Sequence, residues 1–197
     1  MEKRKTKSRK TQLSHGWGIN DTYKQTKTKQ YSVWSDMIRR CYSKKSLKEH
    51  PTYEGCSIHP DWKYFSNFKQ WMDKQDWEGK YLDKDLLVYG NKVYGPDTCV
   101  FVPRLLNNLF TDKGSGPYNK GVYKHGRGSG GYNKKGGMFV AQISMYGKQK
   151  CVSYHTNEKD AEESYKKHKR EYLKELANKQ EDDRLVKALL ERIDLYL

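Results

Sequence analysis

The sequence predicts an α+β fold, with a small strand-strand-helix module followed by a three-stranded antiparallel sheet packed on one helix. "YLDKDLLVYG" and "TCVFVP" have strand composition, and "RLLNNLF" follows Pro103, which suits the first turn of a helix. After polar, glycine-rich residues 111–118, three short alternating stretches precede a strong helical pattern that Thr156 or Asn157 can cap. The glycine-rich stretch separates the two patterns and predicts a module boundary.

Four segments follow from this division. Residues 1–30 carry nine basic and two acidic residues and almost no aliphatic ones, which predicts a flexible basic arm that binds nucleic acid or only keeps the protein in solution. The first module covers 31–111 and the second 117–178. Residues 180–197 predict an amphipathic helix that docks on the body or contacts another protein.

Helical spacing is clearest in the first module. "YSVWSDMIRRCYSK" predicts a helix from about Ser32 to Tyr42 with one apolar face. A second helix carries an aromatic side after a short strand over 53–59. We interpret these aromatic residues as core rather than as a stacking platform, and the set comprises Trp62, Phe65, Phe68 and Trp71.

The charge balance indicates a polyanionic partner. Thirty-nine Lys and Arg stand against 24 Asp and Glu, a formal charge of +15, which favours nucleic acid as the partner through counterion release. The sixteen tyrosines leave RNA as one alternative. No long apolar run or signal peptide is visible, so we expect no membrane partner and a cytoplasmic location. In that compartment the four cysteines are expected to be thiols.

Carboxylates near the first predicted strand raise the question of a metal. Asp83 and Asp85 lie two residues apart, and Asn107 falls one turn into the helix after the second strand. These side chains are candidate ligands for Mg²⁺ or Mn²⁺ over a phosphodiester. In the alternative interpretation the two aspartates pair with local lysines and Asn107 is solvated.

The pattern "WSDMIRRCY…YEGCSIHPDW…LDKD…PDTCVFVP" resembles phage-encoded proteins grouped with HNH (ββα-metal) homing endonucleases. The resemblance implies Mg²⁺-dependent or Mn²⁺-dependent cleavage of double-stranded DNA, with Asp83 and Asn107 as ligands. Lys84 occupies the position of the family's general-base histidine, and burial would have to suppress its charge for it to act as a base. His59 is the candidate substitute. The alternative is a catalytically inactive DNA-binding regulator or host-directed phage protein on the same scaffold.

A structural zinc ion is a different interpretation of the first module. Cys41, His59 and Cys99, with Cys56 close by, could converge on zinc, although no CxxC pair exists and the spacings are wide. Buried free thiols are the other expectation.

Residues 121–169, with "GVYK", "MFVAQISMYGKQKCVSYH" and "DAEESYKKHK", look like the ethylene-response-factor (Apetala-type) DNA-binding domain. Alternation directs Phe139, Ala141 and Ile143 to the helix, and Val140, Gln142 and Ser144 outwards. The resemblance implies that this outer face reads DNA in the major groove. Its candidate contacts are Lys120, Tyr123, His125, Gln142, Ser144 and Gln149.

Overall fold

The computed structural model describes residues 13–22, 24–110, 117, 119–124 and 138–196, with side chains to residue 193. The fold is α+β. The chain forms two compact units, Met1–Val102 and Pro103–Leu197. The predicted first module, 31–111, therefore extends too far, because the residues after Val102 belong to the second unit.

The described part of the first unit contains short strands and three helices, with 3-10 turns at Pro51–Tyr53 and Pro60–Lys63. The elements are β1 (Leu13–Ser14), β2 (Gly18–Ile19), α1 (Lys29–Tyr42), α2 (Lys44–Glu49), β3 (Ser57–Ile58), α3 (Phe65–Met72), β4 (Tyr81–Asp83), β5 (Val93–Tyr94) and β6 (Val100–Val102). β1 pairs antiparallel with β2, β3 pairs parallel with β5, and β4 pairs antiparallel with β6.

The described part of the predicted basic arm is folded. Residues 13–19 form the β1–β2 hairpin, and the ring of Trp17 stacks on that of Tyr42 at 5.1 Å between centroids. Gly18 lies so close to α1 that an added Cβ would be 2.4 Å from Ile38 Cδ1. An arm over 1–30 is therefore wrong for residues 13–22 and 24–30, and residues 1–12 lie outside the described part of the chain.

Aromatic side chains build the first core. Trp34 of α1 is fully buried, and its indole N–H donates to the carbonyl of Trp62 at 2.7 Å. Buried indole N–H groups need such a partner, so this bond fixes α1 against the turn before α3. Phe65 and Phe68 are also fully buried. The interpretation of these residues as core is confirmed.

Within the residues that the structure describes, the second unit contains one sheet and three helices. They are α4 (Arg104–Asn107), β7 (Val122–Lys124), β8 (Phe139–Met145), β9 (Lys148–His155), α5 (Glu158–Asn178) and α6 (Asp183–Tyr196). The sheet has the order β7-β8-β9 and is antiparallel throughout. The glycine turn in the sequence predicts a tight hairpin at Gly147–Lys148, and the structure forms it one residue earlier. Tyr146 and Gly147, between β8 and β9, both have positive φ.

Helix α5 packs on the sheet and α6 packs on α5. Asn157 caps α5 by accepting from the amide of Asp160 at 2.9 Å. The helical spacing predicts an inner stripe of Ala161, Tyr165, His168 and Tyr172. Ala161, Tyr165 and Tyr172 are buried, whereas His168 is half-buried. The apolar stripe of α6 is buried within this unit, which supports the docked alternative for the C-terminal helix; its described members are Leu185, Leu189 and Ile193. Among the described helices, none has the length and apolar character needed to span a membrane.

Candidate functional site

The outer face of the β7-β8-β9 sheet, defined as the face opposite α5, collects most of the candidate DNA contacts. Its orientation follows from Ser153, whose hydroxyl is hydrogen-bonded to that of Ser164 on α5. Ser153 pairs with Ala141, so this row faces the helix and the neighbouring rows face away. The outer face therefore presents Tyr123, Val140, Gln142, Ser144, Gln149, Cys151 and Tyr154.

The predicted contacts are distributed as follows. Ser144 and Gln149 are opposite one another, next to the hairpin turn, and both are exposed. Gln142 is half-buried and pairs with Cys151. Lys120 lies in the turn before β7. His125 lies outside the described residues.

Val140 is the exception to the expected outward exposure. It belongs to the outer face, yet it is fully buried. Tyr123 and Tyr154 are its cross-strand neighbours on either side, and their exposed fractions are 36% and 41%. The row is thus aromatic, apolar and aromatic, with two phenol groups at the surface.

Cys151 and Tyr154 were not among the predicted contacts, and a β-bulge explains why Tyr154 was missed. Simple alternation from Gln149 through Cys151 would bring Ser153 to the outer face, but the register shifts between Ala141 and Gln142. The extra residue turns Ser153 towards α5 and Tyr154 outwards. A hydrogen bond with Cys151 raises the pKa of Tyr154, so the two side chains are in contact. No local signal in the sequence reveals this shift.

Close packing against α5 fixes the position of β7 in the sheet. Gly121, at the start of β7, has φ +76°, and a Cβ there would lie 2.0 Å from Cδ2 of Tyr165. Just before it, Asn119 donates through its backbone amide to Glu158 at 2.9 Å and through its side-chain amide to Glu162 at 2.7 Å. These contacts tie the first strand to the N-terminal half of α5.

The other end of the sheet is held by two tyrosines. The backbone amide of Tyr146 donates to the hydroxyl of Tyr172 at 2.8 Å, and the two rings meet edge to face. The Tyr146 hydroxyl donates to Glu175, and Lys179 donates to both groups. This network holds the hairpin turn, and with it Ser144 and Gln149, against α5.

In the first unit Asp83 ends β4, where it pairs with Val100 of β6. Its Oδ1 accepts from the amides of Asp85 and Leu86, at 2.9 and 2.7 Å. Burial, and then the charge of Asp85, raise the pKa of the Asp83 carboxyl. The strand predicted to continue to residue 90 stops here because Asp83 caps the turn that follows.

Neither candidate base has the geometry of an evident general base. Lys84 donates to Oδ2 of Asp85 at 3.2 Å, and its side chain is only 11% exposed. His59 is half-exposed, and its Nδ1 accepts from the amide of Asp61 at 3.3 Å, capping a 3-10 turn. Only its other ring nitrogen, Nε2, is open to a role in proton transfer.

The second predicted metal ligand, Asn107, ends the short helix α4. Its backbone amide donates to the carbonyl of Pro103 at 3.1 Å. Asn107 belongs to the second unit and Asp83 to the first. A joint metal site of these two residues stays a prediction.

The four cysteines are free thiols, as predicted. Burial raises the pKa of Cys41 and of Cys99 to about 12, whereas zinc binds thiolates. Within the described residues, no group of three or more His, Cys, Asp or Glu side chains is arranged to hold a metal ion. The donor set that the zinc interpretation needs is therefore missing from that part of the chain.

Comparison of this chain with protein-family models, with curated proteins and with solved structures gives no match.

Proposed function

We propose that this chain is a double-stranded DNA-binding protein of phage type, acting in the cytoplasm of a bacterial host, whose second unit reads the duplex with the outer face of its sheet. The observation that carries the proposal is the composition of that face. Opposite the helix-covered side, it presents two exposed tyrosines together with glutamine and serine side chains.

These residue types suit the edges of base pairs. A glutamine amide both donates and accepts, which matches N6 and N7 of adenine in the major groove. A serine hydroxyl can bond to any base edge, and a tyrosine offers an apolar ring for a thymine methyl group and a hydroxyl for a phosphate. The formal charge of +15 supplies the attraction that does not depend on sequence.

Metal-dependent cleavage by the first unit is a second candidate function. One observation favours it: Asp83 is half-buried next to Asp85, so its carboxyl group is held close to a like charge. A divalent cation would relieve this repulsion, and Mg²⁺ or Mn²⁺ binds carboxylate oxygens of this kind. In this scheme Nε2 of His59 accepts the proton of the attacking water. Without cleavage, the same chain acts as a DNA-binding regulator.

Binding is tested with the full chain and labelled oligonucleotides. Fluorescence anisotropy should show stronger binding to duplex DNA than to single-stranded DNA or RNA, with affinity falling steeply as salt is added. Selection from a random duplex library would supply the preferred site. At that site, Gln142→Ala and Gln149→Ala should each weaken binding by roughly tenfold, equivalent to about 1.4 kcal/mol.

Gln70→Ala is the matched control, because it removes the same amide from an exposed glutamine on α3. Equal losses in all three variants, or a preference for single strands, would overturn the assignment of the outer face to duplex DNA. Cleavage is tested separately by nicking of supercoiled plasmid with and without Mg²⁺ or Mn²⁺.

A further inference from the structure

Arg40, in the last turn of α1, is half-buried between two tyrosines. Its guanidinium group lies over the ring of Tyr53, 5.7 Å from the centroid, and is hydrogen-bonded to the hydroxyl of Tyr94. Tyr94 is itself 2% exposed. The two tyrosines therefore fix the plane of the guanidinium group.

Arg40, unlike its neighbour Arg39, forms no ion pair with a carboxylate among the described residues. Arg39 forms an ion pair with Asp36 at 3.2 Å, as exposed arginines often do. In the described part of the chain, no carboxylate lies within the ion-pair limit of 4.0 Å from Arg40. Asp36, the ion-pair partner of Arg39, acts on Arg40 only as a charge beyond that distance. A partly buried cation without an anion in contact is costly, and such sites are completed by a ligand or by another charge.

Further cations surround the same tyrosines. The ammonium group of Lys84 lies 5.9 Å from the centroid of the Tyr94 ring. Lys92 donates to the carbonyl of Thr52, the residue before Tyr53, at 2.9 Å. Lys84 is paired with Asp85, so the group most in need of an anion is Arg40.

We propose that Arg40 binds a backbone phosphate of duplex DNA. The planar guanidinium presents five N–H donors, of which the hydrogen bond to Tyr94 uses one, and its fork matches two phosphate oxygens. Because it is held by two rings, little side-chain entropy is lost when the phosphate binds. A contact of this kind orients the duplex without reading its sequence. This inference rests on the proposed DNA binding but concerns the first unit, not the outer face of the sheet.

The test compares three full-length variants by anisotropy over a range of salt concentrations, on the selected duplex and on a scrambled one. Arg40→Gln removes the charge, Arg40→Lys keeps the charge but loses the fork, and Arg39→Gln is the control on the same helix. Arg40→Gln should reduce the slope of log affinity against log salt by about 0.9, the value for one phosphate contact. The loss should be the same on both duplexes.

Arg40→Lys should keep the slope and lower the affinity, and Arg39→Gln should match the unaltered chain. Thermal unfolding of each variant shows whether it is folded. If Arg40→Gln is unfolded, the affinity of Arg40→Lys is the measurement that tests the phosphate contact. Equal slopes for Arg40→Gln and Arg39→Gln, or an unchanged affinity in Arg40→Lys, would overturn the assignment while leaving the proposed function intact. If the unaltered chain binds no duplex, both proposals fail.

Discussion

Lys84 and Asp85 are joined by an ion pair of 3.2 Å in which the lysine side chain is 11% exposed. The nitrogen of a lysine ammonium group that donates to a carboxylate has no lone pair with which to accept a proton from water. If the first unit cleaves DNA, Nε2 of His59 is therefore the stronger candidate for the base, and Lys84 stays a prediction. The adjacent Asp83 accepts hydrogen bonds from two backbone amides, so a test of its chemistry has to be separated from this structural role.

Asp83→Asn and Asp83→Ala should separate the structural from the chemical role of this side chain. Asparagine keeps an oxygen for the amides of Asp85 and Leu86, whereas alanine leaves both without a side-chain acceptor. We expect Asp83→Ala to lower the free energy of unfolding by about 1–2 kcal/mol, and Asp83→Asn by less than about 0.5 kcal/mol. Urea unfolding measures both effects.

The same pair of variants tests cleavage. Metal-dependent nicking should disappear in Asp83→Asn although the fold is retained, since a neutral amide is a much weaker ligand for a divalent cation. Asn107→Ala, assayed in parallel, reports on the second predicted ligand. Nicking that persists in Asp83→Asn would exclude this carboxylate from the chemistry.

The free energy of unfolding should depend on pH through the ionisation of Asp83. Burial and the charge of Asp85 raise its pKa in the folded protein above the ordinary value of 3.8. The folded state thus binds the proton more tightly than the unfolded state. The protonated Asp83 carboxyl therefore contributes its full share to the free energy of unfolding below the pKa it has in the unfolded chain. This contribution is lost as the pH rises through the pKa that Asp83 has in the folded protein.

Asp83→Asn has no such group, so its stability relative to the unaltered chain should increase as the pH rises above 3.8. Urea unfolding at about pH 4, 5.5 and 7 gives the comparison. A difference that stays constant over this range would contradict the raised pKa.

Periodicity revealed elements whose contacts are local in the chain. The helix expected from Ser32 to Tyr42 is observed as Lys29–Tyr42, capped by Thr28, because its apolar face repeats at helical spacing. The β8–β9 hairpin was predicted from its turn. Sequence patterns could not show that β3 pairs in parallel with β5, since this contact joins residues about 36 apart and leaves no periodic trace.

The positions of single side chains in the candidate sites were limited in the same way, because contacts that depend on the fold leave no pattern in the sequence. Gln142 and Ser144 were correctly assigned to the outer face because alternation in a regular strand gives each residue a face. Tyr154 was missed because a bulge, invisible in the composition, changes the face halfway along β9. Asp83 was expected to be a metal ligand or a partner of local lysines, whereas its acceptance of two backbone amides depends on where β4 stops.

Tyr154 should contribute to DNA binding through its ring and its hydroxyl separately. Tyr154→Ala removes the ring that flanks buried Val140 and should weaken duplex binding by roughly tenfold. Tyr154→Phe keeps the ring, so its affinity should fall only by the value of one hydrogen bond, about 0.5–1.5 kcal/mol. Anisotropy on the selected duplex measures both. Tyr81→Ala, at an exposed tyrosine of the first unit, is the control, and wild-type affinity in Tyr154→Ala would contradict the role of the ring.

Cys151 offers a chemical probe of the same face. It is the exposed member of the four cysteines, and the other three are buried. We expect one rapidly reacting thiol in the native protein, absent from Cys151→Ser, because buried, protonated thiols react slowly. Saturating duplex should slow the reaction, and alkylated protein should bind duplex more weakly. Labelling at an undiminished rate in the presence of duplex would mean that DNA does not cover this face.

Gly121→Ala and Gly147→Ala should differ greatly in their effect on the second unit, although both glycines have φ +76°. At Gly147 nothing lies within 4 Å of an added Cβ, so only backbone strain of about 1–2 kcal/mol is expected. At Gly121 the same carbon would meet the buried ring of Tyr165 at 2.0 Å, and that ring cannot move without disturbing α5. We expect Gly121→Ala to cost at least about 3 kcal/mol in unfolding free energy and to weaken duplex binding by displacing β7.

Gly121→Ala with Tyr165→Leu should recover part of the stability, because it removes the ring that causes the clash. Equal unfolding midpoints for the two single variants would show that β7 does not pack against α5 in this way.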